Sequence, residues 1–67
     1  MQRTQVTSSN ISSIGYQDGT LEIQFNSGEI YQYTSVPLEV YQNLMNASSH
    51  GTYLNSFIKG NYQYYKL

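Results

Sequence analysis

The sequence predicts a small α+β domain: an antiparallel β-meander covered on one face by two helices, with the elements in the order β-β-β-α-α-β. Three observations predict it. Asp18-Gly19 separates two alternating apolar segments, Asn26-Ser27-Gly28 separates the second from a third, and apolar residues recur at spacings of three and four after Pro37.

Asp-Gly is the preferred two-residue loop of a type I′ hairpin, because its positive φ angles match the twist of the flanking strands. With Gln17 opposite Thr20, Tyr16 faces Leu21 and Ile14 faces Ile23, so the apolar residues of both strands share a side. The next break suits a three-residue loop with Gly28 in the left-handed position of a G1 bulge. Phe25 then faces Glu29, Ile23 faces Tyr31 and Leu21 faces Tyr33. A two-residue loop would turn both tyrosines to the opposite side, since a slip of one residue inverts a strand. The meander therefore presents Ile14, Tyr16, Leu21, Ile23, Phe25, Tyr31 and Tyr33 on one face. Its other face carries Ser13, Gln17, Glu22, Gln24, Gln32 and Thr34, so only one side needs a cover. Residues 1–9 form a loosely ordered segment or a short edge strand around Gln5 to Thr7.

Pro37 has the fixed φ of a first helical position, and Glu39 meets the positive end of the helix dipole, which predicts a helix over Pro37 to Ala47. Val40, Tyr41, Leu44, Ala47 and Ser48 line its buried stripe. Ser48-Ser49-His50-Gly51 interrupts the pattern and supplies caps for a second, short helix whose apolar face is Tyr53, Leu54, Phe57 and Ile58. Gly60 stops that helix and turns with Asn61. NYQYYKL then alternates as a last strand from Tyr62, with Tyr62, Tyr64 and Lys66 on one side and Gln63, Tyr65 and Leu67 on the other. Tyr65 with Leu67 is the more core-like pair.

The whole chain, 1–67, reads as a single domain, since 67 residues suffice for one core and no more. With no cysteine there is neither a disulfide nor a thiolate metal site to supplement it. One histidine and dispersed carboxylates give no metal-ligand spacing. The opening residues lack an apolar signal segment and no apolar run is long enough to span a membrane, so a cytoplasmic location is expected. For the same reason Asn10-Ile11-Ser12 and Asn46-Ala47-Ser48 are chance matches to a glycosylation sequon. Charged residues make up 10% of the chain, against about 25% in an ordinary domain. Gln, Asn, Ser and Thr supply 27 of the 67 residues instead, and a net charge of −1 gives little long-range steering.

Three stretches, SSNISSIGY, LEIQFNSGEIYQY and VPLEVYQNLMNASSHGTYLNSFIKGNYQY, together resemble the KTSC domain. That short family occurs as free-standing bacterial proteins and at the carboxyl end of some lysyl-tRNA synthetases. Its tyrosine-x-tyrosine hallmark is Tyr62-Gln63-Tyr64 here, following F-x-S-G-x-x-Y-x-Y and I-K-G-x-Y. The association with a tRNA-charging enzyme implies nucleic-acid binding.

A site for single-stranded RNA or tRNA needs flat rings for bases and cations for phosphates. Lys59, Tyr62, Tyr64 and Lys66 form such a platform if they project from one surface. The plainer role for Tyr62 and Tyr64 is to fill the core with their hydroxyls at its rim. Ser48, Ser49, His50 and Gly51 offer hydroxyls and backbone N–H groups to a phosphate or carboxylate, although capping is the simpler use of such residues. Adjacent serine and histidine without a third partner do not make a hydrolase, so no enzymatic activity and no cofactor are expected. The competing function is protein-protein interaction or self-association through the tyrosine-rich patch or a free sheet edge. Low charge favours it, the resemblance favours RNA, and RNA ranks first.

Overall fold

Asp18 (φ 52°) and Gly19 (φ 82°) are the two left-handed corner residues of the first hairpin, as a type I′ turn requires. In the computed structural model, which describes residues 1–67, the chain forms five strands. They are β1 (Arg3–Gln5), β2 (Ile11–Gln17), β3 (Thr20–Phe25), β4 (Ile30–Tyr33) and β5 (Tyr64–Lys66). Between β4 and β5 lie α1 (Leu38–Asn46), α2 (His50–Tyr53) and a π-helical turn (Leu54–Ile58) that continues α2. All strands are antiparallel to their neighbours in one sheet of order β1-β2-β3-β4-β5. The early strand lies at Arg3–Gln5, two residues before its expected position, and the last begins at Tyr64 and not at Tyr62.

Both hairpin registers follow from their turns. Across β2 and β3, Ile14 pairs with Ile23, Tyr16 with Leu21 and Gln17 with Thr20. Gly28 has φ 97°, Gly28 N–H donates to the Phe25 carbonyl (2.8 Å), and Phe25 N–H donates to the Glu29 carbonyl (2.9 Å). That three-residue loop sets Ile23 opposite Tyr31 and Leu21 opposite Tyr33. All seven side chains expected on one face reach the core or its margin.

One irregularity was not legible. The β2–β3 register shifts between Ile11 and Ser13, leaving Ser12 as an extra residue. Ile11 and Ile14, three apart, therefore both enter the core fully buried, while Ser13 turns to the other face.

The helices complete the core with Leu44, Leu54 and Ile58, each essentially inaccessible. Pro37 sits one residue before α1 in extended conformation (φ −62°, ψ 148°), and its carbonyl accepts from Val40 N–H at 3.0 Å. Ala47 lies just outside the helix as its C-cap. The start of α1 is pinned to the sheet by Tyr16, whose ring stacks on Tyr41 (centroids 4.9 Å, planes 16° apart) and whose hydroxyl donates to the Val36 carbonyl at 2.5 Å. In the π turn, Lys59 N–H donates to the Leu54 carbonyl five residues back, at 2.9 Å. The wider turn keeps Leu54 and Ile58 inward but swings Phe57 out, 57% exposed, where it packs beside Tyr53. The expected four-residue apolar face is therefore broken at Phe57.

The far side of the sheet is polar but not simply solvated. Arg3, Gly15, Glu22, Gln32 and Tyr65 stand in one cross-strand row. Because Gly15 has no side chain, Arg3 reaches across it to ion-pair with Glu22, while Arg3 Nε donates to Ser13 Oγ (2.9 Å) and Gln32 Nε2 donates to Glu22 Oε1 (2.8 Å). A Cβ at position 15 would stand 2.5 Å from the Gln2 carbonyl oxygen and 2.9 Å from Arg3 Cγ.

Two outcomes are expected of this row. Gly15→Ala displaces β1 and costs about 1–3 kcal/mol, read from urea unfolding, because the backbone of Gln2 cannot move aside as a flexible side chain could. Burial raises the Glu22 pKa, but the hydrogen bonds from Gln32 and Arg3 and the Arg3 charge outweigh it and hold the carboxyl below the usual glutamate value. A depressed folded value means that the carboxylate's stabilisation is complete above its unfolded pKa and is lost as pH falls through the folded one. Urea midpoints should decline on acidification across that window, and Glu22→Gln should flatten the decline.

Candidate functional site

Strand β5 pairs with β4 so that Tyr64 stands opposite Tyr33 and Lys66 opposite Tyr31. Facing residues of an antiparallel pair share a side, and Tyr33 points inward, so Tyr64 and Lys66 lie on the helix-covered face. This reverses the expectation that Tyr65 and Leu67 are the core-like pair: both lie on the outer side, 56% and 66% exposed. Tyr64 is at the margin of the core and 58% exposed.

The result is a series of rings. Phe25 meets Tyr31 edge to face (centroids 5.5 Å), Tyr31 stacks on Tyr64 (5.6 Å, planes 29° apart), and Tyr64 leans on Tyr33 (5.9 Å). They line a groove of about 660 Å³ between the β3–β4 turn, β5 and the π turn. Such a volume suits a small organic ligand or part of a chain. Leu54 closes the groove at depth, and its walls carry the carboxamides of Asn10, Asn26 and Asn55. Asn26 Nδ2 donates to the Ser8 carbonyl (3.2 Å), which fixes one wall.

The charges around it are unequal in availability. Lys59, at the end of the π turn, holds its ammonium 5.8 Å from the Phe25 ring centroid, within cation–π range. Lys66 Nζ is ion-paired with Glu29 Oε2 at 2.6 Å. The hydrogen bond and charge of Lys66 lower the Glu29 pKa, and the same contacts raise that of Lys66. Arg3 is engaged with Glu22 behind the sheet. Of the three basic side chains, Lys59 alone has no carboxylate partner.

The expected platform residues are thus divided. Lys59 and Tyr64 line the groove, Lys66 stands at its edge beside Tyr31, and Tyr62 is half-buried against the core. Phe25, Tyr31, Glu29 and the three asparagines are additions. The alternation that places Phe25 and Tyr31 on the core side was readable, but not that the helices stop short of covering them.

Ser48, Ser49, His50 and Gly51 form the junction of the two helices. Ser49 Oγ accepts from Thr52 N–H (3.2 Å) as the N-cap of α2, and His50 Nδ1 is 2.9 Å from the Leu44 carbonyl oxygen at the end of α1. Ser48 is exposed, and Gly51 is buried against the Asn10 carboxamide. These contacts serve capping.

The family model for the KTSC domain matches residues 7–62. A lysine–tRNA ligase of Nostoc sp. is 50% identical over 48 residues, which are 72% of this chain and 9% of the ligase. The chain thus spans less than a tenth of that relative. An uncharacterized protein of Stutzerimonas stutzeri is 39% identical over 70 residues, 100% of this chain and 99% of that protein. The crystal structure of a KTSC domain protein from Yersinia pestis superposes with a TM-score of 0.93 at 45% identity, covering 98% of this chain and 96% of that one.

Burial raises the Tyr33 pKa, and the neighbouring Tyr31 and Tyr64 add to the effect. In a spectrophotometric titration of the folded protein, Tyr33→Phe should remove the component that ionises at the highest pH, whereas Tyr65→Phe should leave that component in place.

Proposed function

This chain belongs to the KTSC domain family, and from that premise we propose that it is a small non-catalytic module that binds single-stranded RNA, including unpaired parts of tRNA, through the ring-lined groove and Lys59. The observation that carries this reading is the run of Phe25, Tyr31, Tyr64 and Tyr33 along an open groove, with Tyr64 more than half exposed. Bases stack on exposed rings whatever their sequence, and an unpaired strand can splay its bases onto such rings, whereas bases paired in a duplex are already stacked on one another. The amides of Asn10, Asn26 and Asn55 suit the polar edges of a base. Lysine–tRNA ligases contain a stretch similar to this chain, which supports an RNA ligand.

The available charge argues against duplex. With Arg3 and Lys66 held by carboxylates, few phosphates can be neutralised, and duplex affinity rests mainly on that term. Lys66 is a secondary contact in this reading, and Tyr62, half-buried against the core, packs and does not bind. Self-association is the second reading, favoured by Tyr65 on the edge strand β5 and Leu67 just after it, which expose apolar surface.

Fluorescence anisotropy with labelled tRNA and short single strands separates these. Removing one stacked base should cost about 1–3 kcal/mol, so Tyr64→Ala weakens binding by about five- to 150-fold, and Tyr65→Ala leaves it unchanged. Wild-type protein that shows no saturable binding at low salt, but sediments as a dimer over a concentration series, would reverse the ranking.

A further inference from the structure

Resting on the single-strand reading of the groove, we infer that Glu29 sets how many phosphates the site accepts: it holds Lys66 as a masked cation and restricts the groove to a base-stacked strand with one phosphate, at Lys59. Glu29 is fixed in place by the loop that precedes β4, since its carbonyl accepts from Phe25 N–H and Gly28 closes the bend. It lies two residues before Tyr31, so period-two alternation puts its carboxylate on the same side as that ring. Lys66 arrives on that side from β5, because it is paired with Tyr31. The two side chains meet at 2.6 Å while remaining 46% and 55% exposed, Glu29 and Lys66 respectively.

That exposure gives the pair its character. A solvent-screened ion pair is exchangeable, so Lys66 is not locked away. A phosphate approaching it must nevertheless displace a carboxylate that its fixed backbone keeps close by, and meets that carboxylate's repulsion. Lys59 faces no such competitor: its neighbour is the Phe25 ring. A strand offering rings to stack and a single phosphate at Lys59 is thus accepted, and a phosphate-dense ligand is refused.

The test is the salt dependence of binding to labelled oligouridylate, compared with a short RNA duplex. For single strands the logarithmic slope is about 0.7 for each phosphate neutralised. Between about 50 and 200 mM salt, one contact makes the wild type lose about threefold in affinity, and two make Glu29→Gln lose about sevenfold. Lys66→Gln alone should match the wild-type slope, and Glu29→Gln combined with Lys66→Gln should return to it. Glu29→Gln should also gain measurable duplex binding at low salt. A wild-type slope in Glu29→Gln overturns this inference and leaves the stacking reading standing, as does a loss of slope in Lys66→Gln with Glu29 intact. Failure of both wild type and Glu29→Gln to bind at low salt overturns the two together. Circular dichroism and melting of each variant confirm that its fold is retained.

Discussion

The parity of β4 hangs on the left-handed residue at position 28. With three residues in the loop, Tyr31 and Tyr33 join Ile23 and Leu21 on the helix side of the sheet. One residue fewer would send both rings to the outer face, because side chains alternate with a period of two. Everything later in the chain depends on that choice. Strand β5 docks beside β4 and takes its parity from it, so the inward turn of Tyr33 is what brings Tyr64 into line with the other rings. The same loop carries Glu29 and so sets where its carboxylate meets Lys66.

The groove exists because the cover is incomplete. Helix α1 is only nine residues long, and α2 passes directly into a π turn. Leu44, Leu54 and Ile58 seal the middle of the sheet over Ile11, Ile14, Leu21 and Ile23. Toward β5 nothing lies above Tyr64 to bury it. A chain of this size has few apolar side chains to spend on covering a five-stranded sheet, and the bulge at Ser12, by sending both Ile11 and Ile14 inward, concentrates them near the centre. The margin is left to tyrosines, whose rings pack on one another.

The few charges are distributed with equal economy. Arg3 crosses the gap left by Gly15 and ties the edge strand to the buried carboxylate of Glu22, both of whose oxygens find partners. A buried carboxylate is tolerated only when so satisfied. Lys66 binds the β3–β4 turn to β5 through Glu29, and Lys59 is left over an aromatic ring. The surface that results can offer stacking and amide hydrogen bonds with little net field, which suits a ligand recognised by its flat faces.

Much of this was legible from residues a few positions apart. The two turns, the register that they set for β2, β3 and β4, the placement of α1 to within a residue and the seven side chains on the helix side of the sheet all follow from local φ preferences and from periods of two and of three to four. The sequence also pointed to the carboxyl-terminal tyrosines and lysines, of which Lys59 and Tyr64 line the groove, but it could not choose between the faces of the last strand. Tyr64 with Lys66 and Tyr65 with Leu67 are nearly equivalent as patterns, and only pairing with Tyr33, some thirty residues earlier, distinguishes them. The partners of Arg3 and Lys66, the half-burial of Tyr62 and the exposure of Phe57 were likewise decided by tertiary contact. Each depends on what a distant strand or turn brings alongside, and a local pattern carries no information about that neighbour.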